Sequence, residues 1–127
     1  MSERMVAERI IKQLHAARVG GDLAGMCGVF ADEGRYEILG ASADKPIAIR
    51  AQTLAEFRPW LSMMVKVFRL NNYRLLSLTI DMPRVVAHWR ADIFSKVTGA
   101  TVPTELTDIV EIKAERIATY TEFFAPR

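Results

Sequence analysis

From residue 73 to residue 124 the chain alternates apolar and polar residues with little interruption. Tyr73–Asp81, Arg84–Val97, Thr104–Ile112 and Ile117–Phe124 each read as a strand, because side chains of a strand point to opposite faces with period two. The links are short: Asp81-Met82-Pro83-Arg84, Thr98-Gly99-Ala100 and Lys113-Ala114-Glu115-Arg116. Links of this length join antiparallel neighbours, since a parallel pair needs a crossover of a dozen residues or more. The second half therefore predicts an antiparallel meander. Sheets of long strands twist, so this one is expected to curl around what precedes it and to leave a hollow.

What precedes it has helical spacing. From Ser2 to Arg18, Val6, Ile10, Leu14 and Ala17 form one apolar stripe. Ser2 is the N-cap, Glu3 suits the first turn, and Gly20-Gly21 stops the helix. Asp22 caps a short helix to about Phe30 that carries Leu23, Met26, Val29 and Phe30. Its Gly25 and Gly28 are poor helix formers, and small residues there let another element come close. Arg35–Leu39 is a short strand, residues 40–46 a polar loop, and Ile47-Ala48-Ile49 extended. Thr53-Leu54-Ala55-Glu56 fits a capping box. It opens a helix to about Val67 with Leu54, Phe57, Leu61, Met64 and Phe68 on its core stripe. Pro59, inside it, predicts a kink near Arg58 or two short helices in line. Helices first and strands later make the fold class α+β: a strongly curved antiparallel sheet wrapped around N-terminal helices.

Composition narrows the function classes. At 127 residues the chain is expected to be a single domain over 1–127. Seventeen Lys+Arg against 15 Asp+Glu leave a net charge of +2, which excludes a strongly basic nucleic-acid binder. Cys27 is the single cysteine, and its apolar run marks it as a buried hydrophobe. No apolar run reaches the length of a membrane span, and the N-terminus has no signal-peptide core. The expectation is a cytoplasmic protein with no nucleic-acid or membrane partner. No metal-ligand spacing and no Gly-rich phosphate loop occur, so neither metal nor cofactor is expected.

Certain segments carry more. Gly21-Asp22-Leu23-Ala24-Gly25, Val29-Phe30-Ala31-Asp32-Glu33 and Arg84-Val85-Val86-Ala87-His88-Trp89-Arg90 stand in order. Thr107-Asp108-Ile109-Val110-Glu111-Ile112, Arg116-Ile117 and Glu122-Phe123-Phe124 follow. With these, nearly the whole chain resembles the nuclear transport factor 2-like superfamily. The nearest branch is that of the SnoaL-like polyketide cyclases and the ketosteroid isomerase relatives. The resemblance implies a conical cavity at the open end of the sheet and a homodimer through its outer face. The family usually has Asp-Gly-Lys-Ile at the last hairpin, where this chain has Ala114-Glu115-Arg116-Ile117.

Alternation assigns the faces. Val85, Ala87, Trp89, Ala91, Ile93 and Ser95 share the apolar face, which belongs inside. Val86, His88, Arg90, Asp92, Phe94 and Lys96 share the other, which should meet solvent or a partner chain. Hydrophobicity does not settle the next two strands. There the resemblance places Asp108 inward, where ketosteroid isomerases hold an acid that donates to an oxyanion. It also places Glu122 inward, near where limonene epoxide hydrolase-like members carry a carboxylate. Asp108 and Glu122 are the candidate catalytic residues, a carboxyl pair suited to acid–base work. Tyr36, Trp89, Tyr120 and Trp60 are the candidate substrate contacts. Arg90-x-Asp92 resembles the Arg-x-Asp of the epoxide hydrolases, but alternation puts it on the outer face. By the resemblance, Ile38 and Leu14 occupy the positions of the isomerase base and helix-one tyrosine, which speaks against authentic steroid isomerisation. His15 is about 100° off the helix stripe and is expected to be partly exposed. The reading is a binder of a small hydrophobic ligand with an apolar cavity. It would act as an isomerase, cyclase or hydrolase on a hydrophobic carbonyl or polycyclic compound. The alternative is a noncatalytic ligand-binding or interaction module of the same fold.

Overall fold

Ser2 opens the first helix, α1 (Glu3–Gly20), by accepting the Met5 amide on its hydroxyl at 3.2 Å. Gly21 closes it in the left-handed conformation, φ 72°, its N–H returning to the carbonyls of Ala17 and Arg18. The computed structural model describes residues 2–42 and 45–127. α2 (Leu23–Cys27) is capped by Asp22 and is shorter than its apolar residues suggest. The helix gives way because the sheet takes the backbone: the Ile117 amide donates to the Val29 carbonyl at 2.8 Å. A Cβ on Gly25 would approach Ala17 to 3.1 Å and collide with the Asp22 carboxylate, so glycine permits the α1–α2 contact.

Strand β1 (Phe30–Ser42) is far longer than the Arg35–Leu39 of the sequence reading, and β2 (Lys45–Thr53) returns beside it. Most of the expected polar loop at 40–46 is thus strand, and its tip, residues 43 and 44, lies outside the described residues, as does residue 1. Thr53 then caps α3 (Leu54–Lys66), taking the Glu56 amide at 3.1 Å. Glu56 reaches back to the Gln52 amide at 3.0 Å, one residue beyond the cap itself. The helix is a single element across Pro59, with Phe57, Leu61 and Met64 buried.

The remaining strands are β3 (Phe68–Asp81), β4 (Arg84–Ser95), β5 (Thr101–Lys113) and β6 (Arg116–Pro126). The sheet order is β2-β1-β6-β5-β4-β3. The meander is antiparallel throughout, as expected, but β1 lies parallel to β6, so the sheet is mixed. The four intervening strands and α3 supply the long connection a parallel pair needs. Five strand spacings put the edges of a flat six-stranded sheet about 24 Å apart, more than the roughly 20 Å length of α3. Yet α3 packs against β1 and against both edge strands, β2 and β3. The sheet therefore curls around the helices. Bulges assist: the pairing shifts register in β1 between Glu33 and Tyr36, in β3 between Asn71 and Arg74, and again between Leu75 and Ser77. A further shift at Ala118 turns Ile117 inward as well as Tyr120. Gly34 sits against the carbonyl of Ala118, where any Cβ would clash. The core fills the concave side, with Ile10, Leu14, Met26, Phe57, Val85 and Tyr120 among its members.

Candidate active site

Burial alternates residue by residue from Val85 to Ala91 in β4 and from Thr104 to Ile112 in β5. Val85, Ala87, Trp89 and Ala91 are buried, as are Leu106, Asp108 and Val110. Asp108 stands opposite Glu122 across the β5–β6 ladder and both point inward. Two carboxylates directly opposite repel each other, and their neighbours show how the fold tolerates them.

For Asp108 the neighbours are donors. His15 Nε2 lies 2.7 Å from Oδ2, and Trp89 Nε1–H donates to the same oxygen at 3.0 Å. Tyr120 Oη lies 3.5 Å from Oδ1 and donates to Glu122 Oε1 at 2.9 Å. Glu122 is met by Arg18, whose Nη1 donates to Oε1 and whose Nη2 donates to Oε2 at 3.4 Å. The Arg18 guanidinium also lies 5.1 Å above the Trp89 ring. Burial alone would lower the Arg18 pKa, but Glu122, Tyr120 and Asp108 outweigh it and hold the guanidinium charged.

His15 is the residue that the sequence reading misplaced. It is 2% exposed, because the curled sheet reaches around α1 and covers a second stripe. Arg18, one helical turn on, shares that stripe. The only sequence signal was their spacing of three, visible once both are known to be covered. Arg18 also supplies the inward cation that the strands lack. The other ring nitrogen of His15, Nδ1, lies 2.6 Å from the Tyr73 hydroxyl. A carboxylate only accepts, so Nε2 carries the proton toward Asp108, and in the neutral ring Nδ1 accepts from Tyr73. The result is a chain of bonds from a phenol through an imidazole to a carboxylate. Burial, with the Asp108 charge adding to it, pushes the Tyr73 phenol up to about 12. Tyr120 is also raised well above the ordinary phenol value, first by burial and then by Asp108 and Glu122.

Asp108, Trp89, Tyr120 and Glu122 are thus brought together, with His15, Arg18 and Tyr73 added. Tyr36 stands apart. It is fully buried, and its hydroxyl donates to the carbonyls of Ala31 and Ile117. Trp60 is 38% exposed on α3 and makes no bond to the network. Arg90 and Asp92 face outward, and Asp92 accepts from Asn72 at 2.7 Å rather than pairing with Arg90. Ile38 is buried among apolar neighbours and carries no proton. Asp108, Trp89, Tyr120 and Glu122 expose at most 2% to a water-sized sphere. The cone is filled at their level, and the apolar hollow expected against Asp108 is occupied by side chains. Arg18 Nε is buried with no acceptor. Tyr73, half-buried, forms part of the wall of an open cleft of about 530 Å³ beside the β3 bulge.

This arrangement sits in a recognisable frame. The SnoaL-like domain family matches residues 11–120, and the chain belongs to that family. No protein of curated function matches it in sequence. Among solved structures it is similar to a provisionally assigned isomerase from Bacillus subtilis, at 16% identity and a TM-score of 0.83, covering 98% of this chain and 90% of that one. It is similar to an LEH-like epoxide hydrolase from M. tuberculosis, at 16% identity and TM-score 0.75, covering 95% and 84%. An NTF2-like protein from Burkholderia xenovorans LB400 follows at 18% identity and TM-score 0.73, covering 95% and 90%. At these identities the likeness establishes the shared fold, and the fold hosts more than one chemistry.

Proposed function

We propose that the protein binds a small carbonyl compound and moves a proton on it through Tyr73, His15 and Asp108. The observation that carries this reading is the continuous hydrogen-bonded chain from Asp108 through His15 to Tyr73, a residue that also lines an open cleft. Tyr73 is the end a ligand meets. When the phenol oxygen takes a proton from the ligand, its own proton passes to His15 Nδ1, and Asp108 faces the imidazolium so formed through Nε2–H. In reverse, Nδ1–H returns its proton to the Tyr73 oxygen as the phenol protonates the ligand. The isomerase and hydrolase names among the structural relatives agree with proton-transfer chemistry on this fold. Asp108 and Glu122 then differ in role: Asp108 positions the relay, and Glu122 neutralises Arg18.

The test works with the natural substrate still unidentified. A panel of ketones, including polycyclic ones, is incubated with the protein in deuterium oxide and followed by NMR. Deuterium should enter a position α to the carbonyl in at least one of them. His15→Gln and Tyr73→Phe should each slow that exchange by roughly 10²–10⁴-fold. Absence of exchange across the panel favours the second reading, a noncatalytic module. The filled cone is the observation behind that alternative, since its polar atoms largely satisfy one another.

A further inference from the structure

The cleft beside Tyr73 has walls of unusual charge. Arg74 of β3 and Arg90 of β4 stand directly opposite each other in the ladder, a placement of like charges that destabilises a sheet. Arg127 lines the same cleft. Among the described residues no carboxylate forms an ion pair with any of the three. The acids near them are engaged: Asp92, also in the wall, accepts from Asn72 at 2.7 Å, and Glu105, opposite Arg90 on β5, holds His88 Nε2 at 2.7 Å. The bulge between Asn71 and Arg74 is what opens the space, with Asn72 in the left-handed region at φ 55°. A volume of about 530 Å³ falls within the range of small-ligand sites.

We infer that this cleft binds the oxyanion, carboxylate or phosphate, of a small organic ligand. Guanidinium groups pair with such oxyanions through two parallel hydrogen bonds. An anion between Arg74 and Arg90 converts a repulsive pair into an attractive triplet, which gives the opposed arginines a purpose that packing does not. The anion site stands on the arginines alone. That its ligand is an anionic carbonyl compound, with the reacting group beside Tyr73, rests on the proton-transfer reading above. It also shifts the substrate class from the hydrophobic ligand expected from sequence toward an amphiphilic acid.

The test is an NMR titration of the full chain, reading the amides of residues 72–74 and 90–92 and the arginine Nε–H signals. Benzoate, phenyl phosphate and the uncharged benzyl alcohol are the probes. Saturable shifts with either anion and none with the alcohol support the site, and the tighter anion identifies the preferred oxyanion. Arg90→Gln should weaken the binding at least about tenfold. Arg74→Gln should weaken it too, while leaving the thermal midpoint of the ligand-free protein unchanged or higher, since the opposed charge is gone. Equal shifts with benzyl alcohol, no saturation with either anion, or unchanged affinity in both variants overturns the proposal. Tyr73→Phe separates the two readings. Benzoate binding without ketone exchange in the wild type sinks the relay alone, and exchange without anion binding sinks the cleft alone. Anion binding should survive in Tyr73→Phe.

Discussion

Glu122 and Arg18 pose the sharpest question about single residues, because each is a charge taken out of water. A buried ion pair adds little to stability when intact, but breaking it strands the surviving charge. Glu122→Gln should therefore destabilise the protein by about 3–5 kcal/mol, read from urea unfolding. Arg18→Met combined with Glu122→Leu should recover much of that loss. The tyrosines predict a response to alkali. Tyr73 and Tyr36 are each raised to about 12 in the folded protein, chiefly by burial, against 10 for the free side chain. Folding thus favours the protonated phenol. That stability is complete below pH 10, falls as pH rises through the window from 10 to 12, and is gone above it. The urea midpoint should drop across that window, with a shallower slope in Tyr73→Phe. A midpoint insensitive to pH there would contradict the burial of both hydroxyls.

Among the elements, the β5–β6 hairpin is the most evidently strained. Ala114 and Glu115 take φ 50° and 57°, the mirror-image turn that suits sheet twist and that glycine or asparagine fills best. Left-handed backbone costs an ordinary residue about 1–2 kcal/mol. Glu115→Gly should stabilise the protein by roughly 1 kcal/mol, since the Arg9–Glu115 bridge that it removes is exposed and worth little. An unchanged or lower thermal midpoint would contradict this. The missing glycine was legible in the sequence, and so were both caps of α1, the box at Thr53 and the faces of β4. The lengths of β1 and α2 were not. Phe30 has the hydrophobicity of either element, and only the hydrogen bond from Ile117 to Val29, 88 residues away in sequence, decides where helix yields to strand.

At the scale of the molecule, curvature is what the sequence conceals. Alternation told which side chains of β4 share a face, but not that the concave face would close over His15. Asp108 was legible as an inward acid through resemblance, whereas its partner came from α1, 93 residues away. The outer face carries Val86, His88, Arg90, Asp92 and Phe94, all half-buried in the single chain. We propose that a second copy covers the Val86 and His88 part of this face, leaving Arg90 and Asp92 open in the cleft at the β3 edge. Light scattering at micromolar concentration should give twice the 14.3 kDa chain mass, and a monomer would count against it. If α1, β3 and β5 meet in one proton relay, ¹⁵N NMR of the His15 ring in the folded protein should show it: a proton fixed on Nε2 and slow to exchange, Nδ1 as acceptor, and a shift of the Nδ1 resonance in Tyr73→Phe. A ring averaging between tautomers, with Nδ1 unmoved by that substitution, would contradict it.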